Sequence, residues 1–508
     1  MTPAAAEARM CGGRPGSSTQ GKPMTWPHVL RTLTMAGAAL SLLASCATPG
    51  NEAHAVLREA DRAMGGTTLK SLRYAGSGTG ASFGQAYQPG MAWPRVNITS
   101  FSRVIDYETG AMREDAARSR AETTGGSGLP LAGEQRATAL VRGEHAWNLT
   151  GPAPVASPVA LSGRTHDLWT SPHGVLKAGM RNATATLRTE GGKRIVSFNE
   201  PGRFSASAWI TADGFVERID SVQPNPVMGD TPTITLYSGY RDFAGVRFPS
   251  RIQQEQGGFP VLDIAVKEVE PNVPAGIEVP ALVSSFAERV APEKAAEGVW
   301  YLAGGSHHSV LIEMKDHLIL VESPLYDGRA QAVLAEARKL VPGKPVRYAI
   351  NSHHHFDHSG GLRAAAAEGA TLVVSEQARP WYERTMARAN SVSPDALAKS
   401  GAKVAVTGVN TQRTFSDGSR TVEVFMIEDS IHAQGFMMVW LPAERLLIEA
   451  DAYTPGAPGA APPAPPNANN VNLVQSIERL RLNVDRILPL HGRIVPASEL
   501  YTATGRRP

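Results

Sequence analysis

The chain has 508 residues, 42% hydrophobic and 19% charged, with a formal net charge of +3. That length predicts two to three domains, each able to bury its own core. The near-balance of charge and the lack of a Lys/Arg block argue against a nucleic-acid partner. The two cysteines, Cys11 and Cys46, leave the rest of the chain without a disulfide or a thiolate ligand.

Residues 26–45 read as an export signal. A weakly basic start with His28 and Arg31 leads into the apolar run Met35–Ala44, too short for a comfortable membrane span. Residues 1–23 are polar and Gly/Pro-rich, so Met24 is the better start. Leu43-Ala44-Ser45-Cys46 resembles the bacterial lipoprotein signal, in which the cysteine becomes the lipidated first residue. The resemblance implies a membrane anchor at Cys46, and Ala47 after it fits sorting to the outer membrane, facing the periplasm. An ordinary cleaved signal that delivers the chain to the periplasm is the alternative.

The first folded region is expected over 46–285. Residues 51–66 predict a helix, with Val56, Leu57, Ala60 and Met64 on one face and Gly65-Gly66 to stop it. From Leu69 to Asn272, short alternating runs are separated by turn residues. Thr233–Tyr237 and Leu262–Val266 are period-2 strands, and Asp242-Phe243-Ala244-Gly245 is a turn. Trp147, Trp169 and Trp209 are expected in its core. This mainly-β texture after a helix and Gly-Gly resembles the half-barrel of bacterial lipoprotein carriers.

Four prolines between Pro271 and Pro292 mark a boundary, and 286–508 alternates β with α. Strands are predicted over 299–302, 310–314, 318–322 and 346–350. Helices are predicted over 330–340 and around Leu473, Ile477 and Leu480, and a last strand over 486–490. Pro455–Pro466 reads as a surface loop.

The segment His353-His354-His355-Phe356-Asp357-His358 follows the strand 346–350 directly. His353 and His355, two apart on extended chain, point the same way and are able to grip one ion. Asp357 and His358, where the chain turns into a helix, point to a second ion beside it. Such donors suit Zn²⁺, Mn²⁺ or Fe²⁺. The H-x-H-x-D-H pattern resembles the metal motif of the metallo-β-lactamase superfamily. Three later residues match that family's remaining ligands in order: His432 after 424–427, Asp451 after 446–450, and His491 in Leu490-His491-Gly492.

The resemblance, which spans about 290–500, implies an α/β fold, an αββα sandwich preceded by the mainly-β domain. It implies two Zn²⁺ per chain. His353, His355 and His432 would hold one, Asp357, His358 and His491 the other, and Asp451 would bridge them. A hydroxide between the metals would be the nucleophile, with Asp357 as the catalytic residue that orients it and passes on its proton. Two positions depart from the family. Glu322 stands where an Asp usually ends the first strand, and Ala450 where a Gly usually precedes the bridging acid.

Around the motif, His308 of the pair His307-His308, Arg363 and Tyr453 are candidates for contact with a small-molecule substrate. Gly360-Gly361 is expected to serve tight packing. The expected activity is hydrolysis of an ester, lactone or amide-type bond, with a β-lactamase as one alternative. An iron-dependent oxidoreductase on the same fold, or an envelope ligand-binding protein, are the others. Substrate identity, the role of the first domain and oligomeric state stay open, because fold alone does not give function.

Overall fold

The computed structural model describes residues 49–122 and 133–506, so Met24, Cys11, Cys46 and the expected leader lie outside the described residues. Residues Ala47–Pro508 fold as one unit.

Alternation of apolar and polar residues builds the first sheet. In Phe204–Ile210 the buried side chains are Phe204, Ala206, Ala208 and Ile210, all on one face. Among the described residues the sheet has 13 strands, paired antiparallel throughout. Ser71–Ala81 lies near the middle, between Arg95–Asp106 and Phe259–Pro271. The expected turn at Asp242–Gly245 is present: Gly245 N–H donates to Asp242 Oδ1 at 3.0 Å, with φ of +52° at Ala244 and +85° at Gly245.

The helix expected near 51–66 spans Pro49–Ala63. Two further helices, Leu161–Trp169 and Pro172–Arg181, interrupt what the sequence texture presents as strands alone. The second begins on a capping signal: Ser171 Oγ accepts from Gly174 N–H at 3.2 Å, with Pro172 in the first turn. The helices pack Leu57, Ala60, Leu168, Val175 and Leu176 against strand residues such as Phe101, Ile105 and Ile219. Trp147 is fully buried, whereas Trp169 and Trp209 are only partly covered.

From Ala291 onward two sheets lie face to face, one of seven strands and one of six among the described residues. Leu318–Val321 is buried on both faces, as its unbroken apolar run requires. Its Ile319 and Val321 meet Val424, Val439 and Ile448 of the other sheet. Its Leu318 and Leu320 meet Val333, Leu334 and Leu362 of the helices Asp327–Leu340 and Leu362–Ala367. Leu473, Val474 and Ile477 of the helix Ala468–Leu480 join the core of the second sheet. Val346–Ile350 runs parallel to both neighbours, and Leu446–Glu449 runs parallel to Arg486–Pro489. The carboxyl ends of these strands carry the candidate ligands.

The helical turn Ala281–Ser284 packs Val283 against Trp147, and the second region's first strand begins at Ala291. Among the described residues, two places of contact join the two regions. Val227, wholly buried, enters the helix-side core of the second region, and beside it Asp230 accepts from the N–H of Ser391 and Val392 at 3.0 and 3.1 Å. The second place is the segment after Ser71–Ala81, which reaches the candidate site.

Candidate metal centre

His353 and His355 leave the end of Val346–Ile350 on extended backbone. His353 Nε2 stands 2.9 Å from His355 Nδ1 and 3.2 Å from His432 Nε2, and His432 Nε2 is 3.0 Å from Asp451 Oδ2. On the other side of Asp451, its Oδ1 is 2.9 Å from both His358 Nε2 and His491 Nε2. The two oxygens of one carboxylate thus face two separate groups. Asp357, His358, His491 and His307 form one; His353, His355 and His432, with Asp451, form the other. Within each group the ligand atoms lie within 4.8 Å of one another.

The outer contacts fix which ring nitrogen is free. A carbonyl oxygen only accepts, so each imidazole nitrogen facing one must carry the proton. His355 Nε2 donates to Ala86 O at 2.9 Å, leaving Nδ1 for the centre. His491 Nδ1 donates to Ser306 O at 3.0 Å, leaving Nε2. His353 Nδ1 lies 2.9 Å from Ser352 Oγ, and His358 Nδ1 lies 3.5 Å from Glu322 Oε2. Such partners orient metal-binding imidazoles. Glu322 itself is buried at φ +66°, where it accepts from Ser352 N–H at 2.6 Å and Asn351 Nδ2 at 3.0 Å.

Burial pushes the His353 and His355 imidazoles well below their ordinary value, and the neighbouring rings add to this, so both are neutral. Burial would raise the Asp451 carboxyl, but His358, His432 and His491 outweigh it and hold the group far below the usual carboxylate range. At Asp357 burial is likewise outweighed, by His358 and by the adjoining His307. The residues fit divalent cations. Asp451 Oδ1 is buried without a hydrogen-bond partner. A carboxylate oxygen with two imidazole nitrogens at 2.9 Å and no hydrogen bond to either is an arrangement that a cation between them resolves.

The first region supplies residues that no motif announces. Gln85 Nε2 donates to Asp357 Oδ1 at 2.8 Å. Ala86 O accepts from His354 Nε2 at 2.8 Å as well as from His355. Gln434 N–H donates to Tyr87 O at 2.8 Å, and Tyr87 OH to Ser430 O at 2.9 Å. Phe83 and Trp93 pack against Phe356, which anchors the segment.

Tyr453 lines a cavity of about 850 Å³ together with His307, Asp357, His432, Asp451 and His491; burial pushes its hydroxyl up to about 12. The segment 456–463, within the proline- and alanine-rich stretch, forms part of the cavity's wall. His308 does not face this cavity: its Nδ1 accepts from Gly304 N–H at 3.1 Å and its ring packs on Tyr301. Successive residues point to opposite sides, and His307 is the one turned to the cluster. Arg363 is buried, paired with Asp395 and donating to Met386 O at 3.2 Å, so its charge is already matched within the protein. Gly360 and Gly361 lie where a Cβ would meet Leu325 O at 1.9 Å and Ala330 Cβ at 2.5 Å.

The family model described as the metallo-beta-lactamase superfamily matches residues 302–491. Comparison with curated proteins gives no match. Among solved structures, a metallo-beta-lactamase from Pontibacter korlensis is similar at 17% identity and a TM-score of 0.34, over 43% of this chain and 98% of that one. The FIM-1 metallo-beta-lactamase of Pseudomonas aeruginosa, in its mono-zinc form, is similar at 17% identity and a TM-score of 0.33, over 42% of this chain and 93% of that one. The DIM-1 metallo-beta-lactamase gives 15% identity and a TM-score of 0.33, over 43% of this chain and 97% of that one. The match to the metallo-beta-lactamase superfamily, whose fold is that of metal-dependent hydrolases, thus covers residues 302–491, behind a large β-rich region.

Proposed function

We propose that the protein is an exported hydrolase that uses two zinc ions to cleave an ester, lactone or amide-type bond in a small molecule. The observation that carries this reading is Asp451, whose Oδ1 faces His358 and His491 while its Oδ2 faces His432. When bound, two such ions supply a water that ionises near neutral pH and polarise the scissile carbonyl.

The chain's own residues do the rest. His353, His355 and His432 would hold one ion and Asp357, His358 and His491 the other, with Asp451 facing both groups. Asp357, its side chain 25% exposed, is held at Oδ1 by Gln85, and His307 Nε2 lies 3.2 Å from its Oδ2. From there its carboxylate would take the proton of the attacking water and return it to the leaving group. The cavity of about 850 Å³ has the size of a small-molecule site. The lipoprotein-like signal ending at Cys46 supports a lipid-anchored position in the cell envelope.

A panel of esters, lactones and β-lactams tests the reading. Turnover of at least one class that stops with chelator and is absent in His353→Ala supports it. No turnover of any class by metal-loaded protein contradicts it.

A further inference from the structure

His307 stands in the second ligand group beside residues that the motif accounts for. Its Nε2 is 3.2 Å from Asp357 Oδ2, and its ring centroid is 4.0 Å from that of His491 and 5.1 Å from that of His358. The ligand atoms of these four residues all lie within 4.8 Å of one another, near the ~4.2 Å that separates two ligands on opposite sides of an ion at ~2.1 Å each. The ring is buried, and its Nδ1 lies 2.8 Å from Ser306 Oγ, a partner able to accept the ring proton.

The backbone around His307 is fixed. Ser306 O accepts from His491 Nδ1 at 3.0 Å, and His308 N–H donates to Leu490 O at 2.9 Å. Buried Arg329 donates to His307 O at 3.4 Å and Arg289 O at 2.9 Å. The hairpin carrying His307 is therefore tied to the strand end that carries His491, and the two imidazoles are placed together.

We propose that His307 is an additional metal ligand, which binds through Nε2 the ion shared by Asp357, His358, His491 and Asp451. This rests on the dinuclear reading above and adds a donor to it. The second position then offers five protein donors, more than the three that a catalytic zinc site commonly has. Its ion becomes the more firmly held at that position, and its retention depends on His307.

The test uses the full chain loaded with cobalt(II). Proton NMR of the paramagnetic protein counts imidazole N–H signals of metal-bound histidines. The proposal expects signals from His353, His355, His358, His432, His491 and His307, and the loss of one in His307→Gln. That substitution keeps a polar side chain of similar reach and removes the imidazole ligand. It is also expected to weaken the second ion's binding by more than ~100-fold in chelator competition, beyond the ~10–100-fold typical of a lost outer partner. A parent spectrum without the His307 signal, or His307→Gln with both affinities within ~10-fold of the parent, overturns the proposal. A parent chain that takes up no ion overturns the dinuclear reading as well.

Discussion

The carbonyl oxygen of Ala86 lies 2.9 Å from His355 Nε2, so the first region fixes the tautomer of an imidazole in the second region's candidate metal group. A neighbouring side chain does the same for the carboxylate: Gln85 donates to Asp357 at 2.8 Å. The β-rich region is thus part of the centre, supplying outer contacts that a separate metal domain would have to find within itself.

Gln85→Ala removes the amide that holds Asp357 Oδ1. The expected result is a ~10–100-fold loss of affinity for the ion on the Asp357 side. Affinity on the His353 side should be little changed. Chelator competition that resolves the two ions measures both.

Glu322 is buried and accepts from Ser352 N–H and Asn351 Nδ2. Glu322→Ala strands Ser352 N–H, at about 1–3 kcal/mol, and leaves Asn351 Nδ2 only its bond to His358 O at 3.3 Å. Denaturant unfolding of metal-free protein should show this loss before any metal effect enters. An unchanged midpoint would mean that water or a rearranged side chain replaces the carboxylate.

Burial lowers His173 to about 4, and the nearby Lys177 charge pushes the same way, against a hydrogen bond to Met64 O. The folded pKa lies below the unfolded value of ~6.5, so the unfolded chain binds more protons between the two. The group's contribution is complete above pH ~6.5 and is lost as pH falls towards 4. The loss is roughly 3 kcal/mol for a fully buried ring. His173→Gln should flatten that part of the stability–pH curve of metal-free protein.

Asp230 joins the regions through Ser391 N–H, Ser391 Oγ and Val392 N–H. Asp230→Ala should cost about 1–2 kcal/mol at this exposed contact. Hydrogen exchange should speed up at Ser391 and Val392 while the strands of both regions keep their protection.

Much of the candidate site was legible because its residues follow local rules. His353, His355, Asp357 and His358 are a strand end running into a helix start, and His432, Asp451 and His491 each follow an apolar run. The rest depended on contacts distant in sequence. Ala86 acts through its backbone, so its side chain carries no signal. Gln85 meets Asp357 across 272 residues. The choice between His307 and His308 turns on which face of one hairpin meets the cluster. Arg363 looked available because its partner Asp395 lies beyond the helix that carries it. In the first region, period-2 runs such as Thr233–Tyr237 were readable as strands. The helices 161–169 and 172–181 were hidden by their short, Gly-containing sequences, although Ser171-Pro172 carried a start signal.

The metal content of protein purified from minimal medium tests the two-zinc centre itself. Two divalent ions per chain are expected, zinc by identity, falling when Asp451 is replaced by Ala because both groups lose an oxygen. One iron per chain, with Asp451→Ala retaining it, would rule out a two-zinc centre bridged by Asp451.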